Sequence, residues 1–122
     1  MKQKLITKEV EERLNAFKFY SQDGVKDKKV LVKFFGGSFT WVVVEAEKLN
    51  DGDWNFFGWV DLGYGGEWGY FRFSDIKDIK IPLRMTNGKI IGSLNIEREI
   101  HEHYKNGYTI SPDGKLKYNR RK

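Results

Sequence analysis

The stretch FTWVVVEAEK, residues 39–48, is apolar on both of its alternating faces. In an extended chain successive side chains point to opposite sides, so Phe39, Trp41 and Val43 share one face and Thr40, Val42 and Val44 the other. A strand of that kind is stable only when both of its faces are covered. It therefore predicts a central strand in a layered domain, and the rest of the chain must supply the neighbours and the covers.

The neighbours are legible on either side. KVLVKFF (29–35) precedes it across the short break GGS, which predicts an antiparallel hairpin. Asn50-Asp51-Gly52 turns the chain into a third strand, 54–60, and a glycine-rich loop, 61–67, leads to a fourth, 68–73. Thr7 followed by KEVEERLNAF predicts a capped helix, with Val10, Leu14 and Phe17 forming a narrow apolar stripe. The run 21–29 is polar and reads as a loop. Ser74 is expected to cap a helical turn, SDIKDIK, that ends at Pro82, and residues 83–92 to form a hairpin around Asn87-Gly88. NIEREIHEHY fits a helix stripe and a strand pattern equally. The expected fold is α+β: an N-terminal helix packed on a mainly antiparallel meander sheet of about four strands, with short helical turns and a C-terminal extension. Residues 1–103 form the single domain in this reading, and 104–122 a basic, mobile extension with few packed contacts.

Composition removes several chemistries. The 122 residues include no cysteine, which excludes disulfides, thiolate metal sites and cysteine nucleophiles and fits a reducing, cytoplasmic setting. The charged start MKQKLITKEVEERL lacks the pattern of a signal or membrane span, so no membrane partner is expected. His101 and His103 would share one face of a strand, but a catalytic metal wants at least three protein ligands, and a solvated pair is the expected state. Gly63, Gly65, Gly66 and Gly69 do not make a phosphate loop, because Trp68 holds the place of the last glycine and no helix follows. No cofactor and no enzymatic activity are expected.

Binding remains. WNFFGWVDLGYGGEWGYF, residues 54–71, holds eight aromatic residues and five glycines, and its only charges are Asp61 and Glu67. Single-strand binders interleave aromatics with Lys and Arg, and this stretch has neither. Most of the rings are therefore expected in the core. Tyr64 and Trp68 are expected to show at the surface, where, flanked by Glu67, they suit a protein partner. The chain's net charge of +5 sits at its two ends, and Lys115, Lys117, Arg120, Arg121 and Lys122 form a candidate electrostatic foot for RNA.

KLITKEVEERL, VKFFGGSFTWVVVEAE, FFGWVDLG, EWGYFRFSDI and NIERE, in this order and spacing, resemble a small family of conserved hypothetical proteins of bacterial plasmids, conjugative elements and phages. The resemblance covers about residues 4–100. Its polar matches are Lys33, Glu45, Glu67, Glu97 and Arg98, each readable as a surface ion pair or a shared recognition feature. Trp68 stands where the family tends to have an aliphatic residue, Asn95 where it tends to have proline, and the tail from His101 is added. The resemblance implies a genomic setting and no reaction. Small non-catalytic proteins of mobile elements often disable a host machine by binding it. The functional expectation is thus a counter-defence protein, in its most specific form an anti-CRISPR inhibitor of an effector nuclease or its guide RNA complex. The alternative is a nucleic-acid-binding accessory protein for maintenance or transfer of the element.

Overall fold

A computed structural model describes residues 4–100 and 107–118. Helix α1 (Lys8–Leu14) starts where the sequence places it: the Thr7 hydroxyl accepts the Val10 N–H at 3.3 Å, and Glu9 and Glu11 occupy the first turn. Strands β1 (Lys28–Lys29), β2 (Val32–Gly36), β3 (Phe39–Lys48), β4 (Trp54–Asp61) and β5 (Gly66–Arg72) follow, then the short helix α2 (Phe73–Ile76). Beyond it come β6 (Lys80–Arg84), β7 (Ile90–Asn95), β8 (Glu97–Glu99), β9 (Tyr108–Ile110) and β10 (Leu116–Tyr118).

The predicted meander is present, with β3 in its middle. Five strands are ordered β5-β4-β3-β2-β8, and every pairing is antiparallel. The fifth strand comes from the ambiguous NIERE segment: Lys33, Phe34 and Phe35 pair with Glu99, Arg98 and Glu97. Six consecutive residues of β3, Trp41 to Ala46, are buried, as a strand covered on both sides requires.

Each face has its own core. On the first, α1 and α2 lay Val10, Leu14 and Ile76 over Phe34, Trp41, Val43, Trp54 and Phe56. On the second, Val42 and Val44 meet Val30, Tyr108 and Ile110, with Phe57, Trp59 and Trp68 packed at the margin. The predicted strand 29–35 is divided between the two layers. The Val30 N–H donates to the Tyr108 carbonyl, whereas the Leu31 N–H donates to the Val43 carbonyl, so the chain changes sheets between these residues.

Three local expectations are corrected. The described part of the C-terminal extension is packed: β9 pairs with both β1 and β10, and Tyr108 and Ile110 are buried. The alternation of Tyr108, Thr109 and Ile110 is a strand pattern too short to stand out between turn signals. Ser74 lies inside α2, whose cap position is Arg72. Pro82 sits within β6, on a two-stranded ribbon with free edges that tolerates its missing N–H. The hairpin around Asn87-Gly88 is present as β6–β7.

Candidate functional site

Glu45 is the polar residue of an otherwise apolar buried run, and its carboxylate is buried with it. One oxygen accepts the Tyr20 N–H at 2.8 Å and the other the Gln22 N–H at 2.6 Å. Gln22, also buried, donates to the Val44 and Lys29 carbonyls and accepts the Lys29 N–H. The polar run read as a loop is thus pinned to β3 by two buried side chains. Glu45 is neither a surface ion pair nor exposed for recognition. Of the other polar matches, Lys33 pairs with Glu99 at 3.3 Å, and Arg98 donates to the Lys4 carbonyl at 2.7 Å.

The pinning sets an unusual backbone. Tyr20 has φ of +68°, the left-handed region that a bulky non-glycine residue seldom enters. Its ring is directed outward, 59% exposed. Beside it a file of rings crosses the sheet edge. Phe19 meets Tyr20 edge-on with centroids 4.6 Å apart, and Tyr70 at 6.0 Å. Tyr70 meets Phe57 at 4.9 Å, Phe57 stacks on Trp68 at 5.7 Å, and Trp68 meets Trp59 edge-on at 5.4 Å. The rings align because Phe57 and Trp59 on β4, and Trp68 and Tyr70 on β5, point to the same side of the sheet under the observed register. Tyr70 is also 59% exposed, and the surroundings of its ring hold its hydroxyl pKa above the ordinary tyrosine value, by partial desolvation first and then by the neighbouring Tyr20, Asp23 and Glu45.

The inner end of the file is closed. The Trp68 indole N–H donates to the Pro112 carbonyl at 2.9 Å. A Cβ added at Gly66 or Gly114 would overlap the Trp59 indole, so these glycines let β5 and the β9–β10 turn approach that ring from two sides. Between the closed end and the loop lies a shallow concavity of about 340 Å³, lined by Val25, Lys26, Lys28, Phe57, Trp68 and Pro112 among others.

The three aromatic-site residues named from the sequence do not form one site. Tyr64 is 97% exposed at the tip of the β4–β5 loop, between Gly63 (φ +99°) and Gly65 (φ +94°). Trp68 is half-buried, and its expected exposure is corrected. Glu67 is exposed on the opposite side of the sheet from Trp68, since adjacent strand residues alternate. The charge argument also changes in three dimensions. The Lys28 ammonium lies 6.0 Å from the Trp68 ring centroid, so a cation absent from the aromatic segment reaches it from β1. Lys115 and Lys117 are exposed on the packed β9–β10 unit, whereas His101, His103, Arg120, Arg121 and Lys122 lie outside the described residues. Sequence reasoning missed Phe19, Tyr20 and Tyr70. The available signal was Glu45, an acid inside the run VVVEA that required a buried partner.

A second, polar concavity is lined by Asp51, Asp53, Arg72, Phe73, Ser74 and Lys77 with Gly52. Asp53 accepts hydrogen bonds from the Trp54 N–H, the Ser74 N–H and the Ser74 hydroxyl, the last at 2.6 Å. Partial desolvation opposes ionisation here, but these bonds and the Arg72 charge prevail and hold its pKa below the ordinary value. The serine–carboxylate pair locks the start of α2 onto β4. Among the described residues no three His, Cys, Asp or Glu side chains converge as a metal site, and no helix is long and apolar enough to cross a membrane.

Residues 5–102 match a family described as a protein of unknown function, DUF2958. The chain belongs to this family. A search of curated proteins and of solved structures finds no significant match. The DUF2958 region contains the five-stranded sheet, both helices and the rings from Phe19 to Tyr70. It ends before β9, so Tyr108, Ile110 and Pro112, which close the second face, come from beyond the matched segment.

Proposed function

We propose that this DUF2958 protein is a counter-defence protein of a phage or other mobile element, acting without chemistry of its own. In its specific form it is an anti-CRISPR inhibitor that binds an effector nuclease or its guide RNA complex. The observation that carries the binding reading is the exposed pair Tyr20 and Tyr70, with Tyr20 fixed by Glu45. Fixed, amphipathic rings give large contact area at little entropic cost, which is why tyrosine anchors so many protein interfaces. Asp23 lies beside Tyr70, and Lys26 and Lys28 line the adjoining concavity at Phe57 and Trp68, a polar rim of both signs that suits a protein surface. The genomic setting and the choice of a defence system rest on the family resemblance.

The test is DNA cleavage by purified CRISPR effector complexes with increasing amounts of this protein. The expected result is stoichiometric inhibition of at least one effector, weakened at least tenfold by Tyr20→Ala with Tyr70→Ala at unchanged melting temperature. No inhibition across effectors of the host would overturn the counter-defence reading, and inhibition untouched by the double substitution would move the site elsewhere. The accessory-protein alternative draws on Lys26 and Lys28 beside Trp68 and on Lys115 and Lys117. Binding of single-stranded nucleic acid that the same tyrosine pair supports would favour it.

A further inference from the structure

The β6–β7 hairpin stands away from both cores. Ile81 roots it, packing over Gly36 and Gly37, where a Cβ at either position would crowd its side chain. Past that root, Leu83, Met85, Ile90, Ile91 and Leu94 are all exposed. An isolated two-stranded ribbon is marginal in water, so one carried on the surface in this way needs an explanation.

Its register separates two faces. Lys80 pairs with Asn95, Pro82 with Ser93 and Arg84 with Ile90, while Ile81 pairs with Leu94 and Leu83 with Gly92. Directly paired residues share a side, so Lys80, Pro82, Arg84, Ile90, Ser93 and Asn95 lie on one face and Ile81, Leu83 and Leu94 on the other. The apolar face continues from the root. The opposite face carries Lys80, Arg84, Ser93 and Asn95 together with Pro82 and the exposed Ile90, and Lys89 adds a third cation beside the tip. Between Asp78 and Glu97 there is no acidic residue. The hydrogen bonds of the first two cations go to neutral groups: Lys80 to the Asn95 amide oxygen at 2.7 Å, and Arg84 to the Gly88 carbonyl at 3.1 Å. Their charge is thus left for a partner. Two such faces would repel each other, which counts against a second copy docking hairpin to hairpin.

We infer that the Lys80–Arg84–Ser93–Asn95 face of this hairpin is a docking site for duplex DNA. A two-stranded ribbon fits the major groove, which is about 12 Å wide. Lys80 and Arg84 are four residues apart on one strand, roughly 13 Å at the usual rise, enough to reach phosphates on both walls. Ser93 and Asn95 then face the groove floor with groups able to bond base edges. The A-form duplex of RNA has a deep, narrow major groove that excludes a ribbon, so the site distinguishes the two duplexes. This inference is independent of the tyrosine pair.

Fluorescence anisotropy of the full chain with a 20-base-pair DNA duplex tests it, alongside an RNA duplex of the same sequence and polyglutamate as competitor. Three phosphate contacts give a log–log salt slope of about −2.7, or roughly a 40-fold loss of affinity between 50 and 200 mM salt. Lys80→Ala with Arg84→Ala and Lys89→Ala should weaken DNA binding at least tenfold and remove that much slope, at an unchanged melting temperature. Tyr20→Ala with Tyr70→Ala should leave DNA binding intact. No binding to the DNA duplex at low salt, equal affinity for the RNA duplex, preferential capture of polyglutamate, or a triple variant with unchanged salt slope would each overturn the inference.

Discussion

The Glu45 carboxylate holds the Tyr20 N–H at 2.8 Å while the Tyr20 backbone sits at φ +68°. A left-handed tyrosine costs on the order of 1–2 kcal/mol, so the surrounding structure must over-determine it. Glu45 does so with a charge-assisted bond, and through Gln22 it fixes the loop that carries the strain. The buried interior of the sheet and the exposed ring are therefore one mechanical unit.

Glu45→Ala tests that unit. Removing the carboxylate leaves the Tyr20 and Gln22 N–H groups without their acceptor, which should cost roughly 3 kcal/mol. Glu45→Gln keeps one acceptor oxygen but turns an amide donor toward the other N–H, and should cost less. Urea denaturation of the three proteins should place the midpoints in the order wild type, Gln, Ala. An unchanged midpoint for Glu45→Ala would mean that the loop is held by other contacts.

The rings of residues 54–71 should separate by depth. Phe56 is fully buried in the first core, and Phe56→Ala should cost about 3–5 kcal/mol. Trp68→Ala loses the stack on Phe57 and the bond to Pro112, and should lower the melting temperature by several degrees. Tyr64→Ala should leave it unchanged, because the ring touches little. Differential scanning calorimetry of the three variants checks the order, and a destabilising Tyr64→Ala would contradict it.

The sheet was legible because each of its central strands carries its own signal: β-branched and aromatic runs bounded by glycine and Asn-Asp-Gly turns. The first face was legible for the same reason. The second face was not. Its cover depends on Tyr108 and Ile110, more than sixty residues along the chain from Val42 and Val44, and periodicity carries no information about pairing at that distance. The candidate site failed in the same way. Neighbouring residues Glu67 and Trp68 look like one patch in the chain and lie on opposite sides of a strand, whereas Tyr20 and Tyr70 come together from distant segments and Lys28 reaches Trp68 from a third.

Acid should weaken the attachment of α2. The folded Asp53 pKa is depressed, so its contribution is present above the ordinary carboxylate value of 3.8 and is lost as pH falls through the lower folded value. Asp53→Asn cannot titrate and should flatten the low-pH limb of stability against pH relative to wild type. Denaturant midpoints measured from pH 6 down to 2.5 show this directly. Identical limbs would assign the acid sensitivity to other carboxylates.

Truncation after Asp113 separates a packed C-terminal segment from a solvating tail. A tail with few contacts would leave the melting transition intact. Here the cut removes Gly114, which lies against the Trp59 ring, and Lys115, whose N–H and carbonyl close the turn on Ser111. It also removes β10, the strand that pairs with β9 on the side away from β1. Without it the turn that presents the Pro112 carbonyl to Trp68 is no longer closed, and water gains access to Trp59 and Trp68. The truncated protein should melt several degrees lower, with red-shifted tryptophan emission and stronger acrylamide quenching. Cutting instead after Tyr118 leaves β9, β10 and the turn in place and should change neither signal. An unaltered transition and emission after the Asp113 cut would show that the second face holds without this cover.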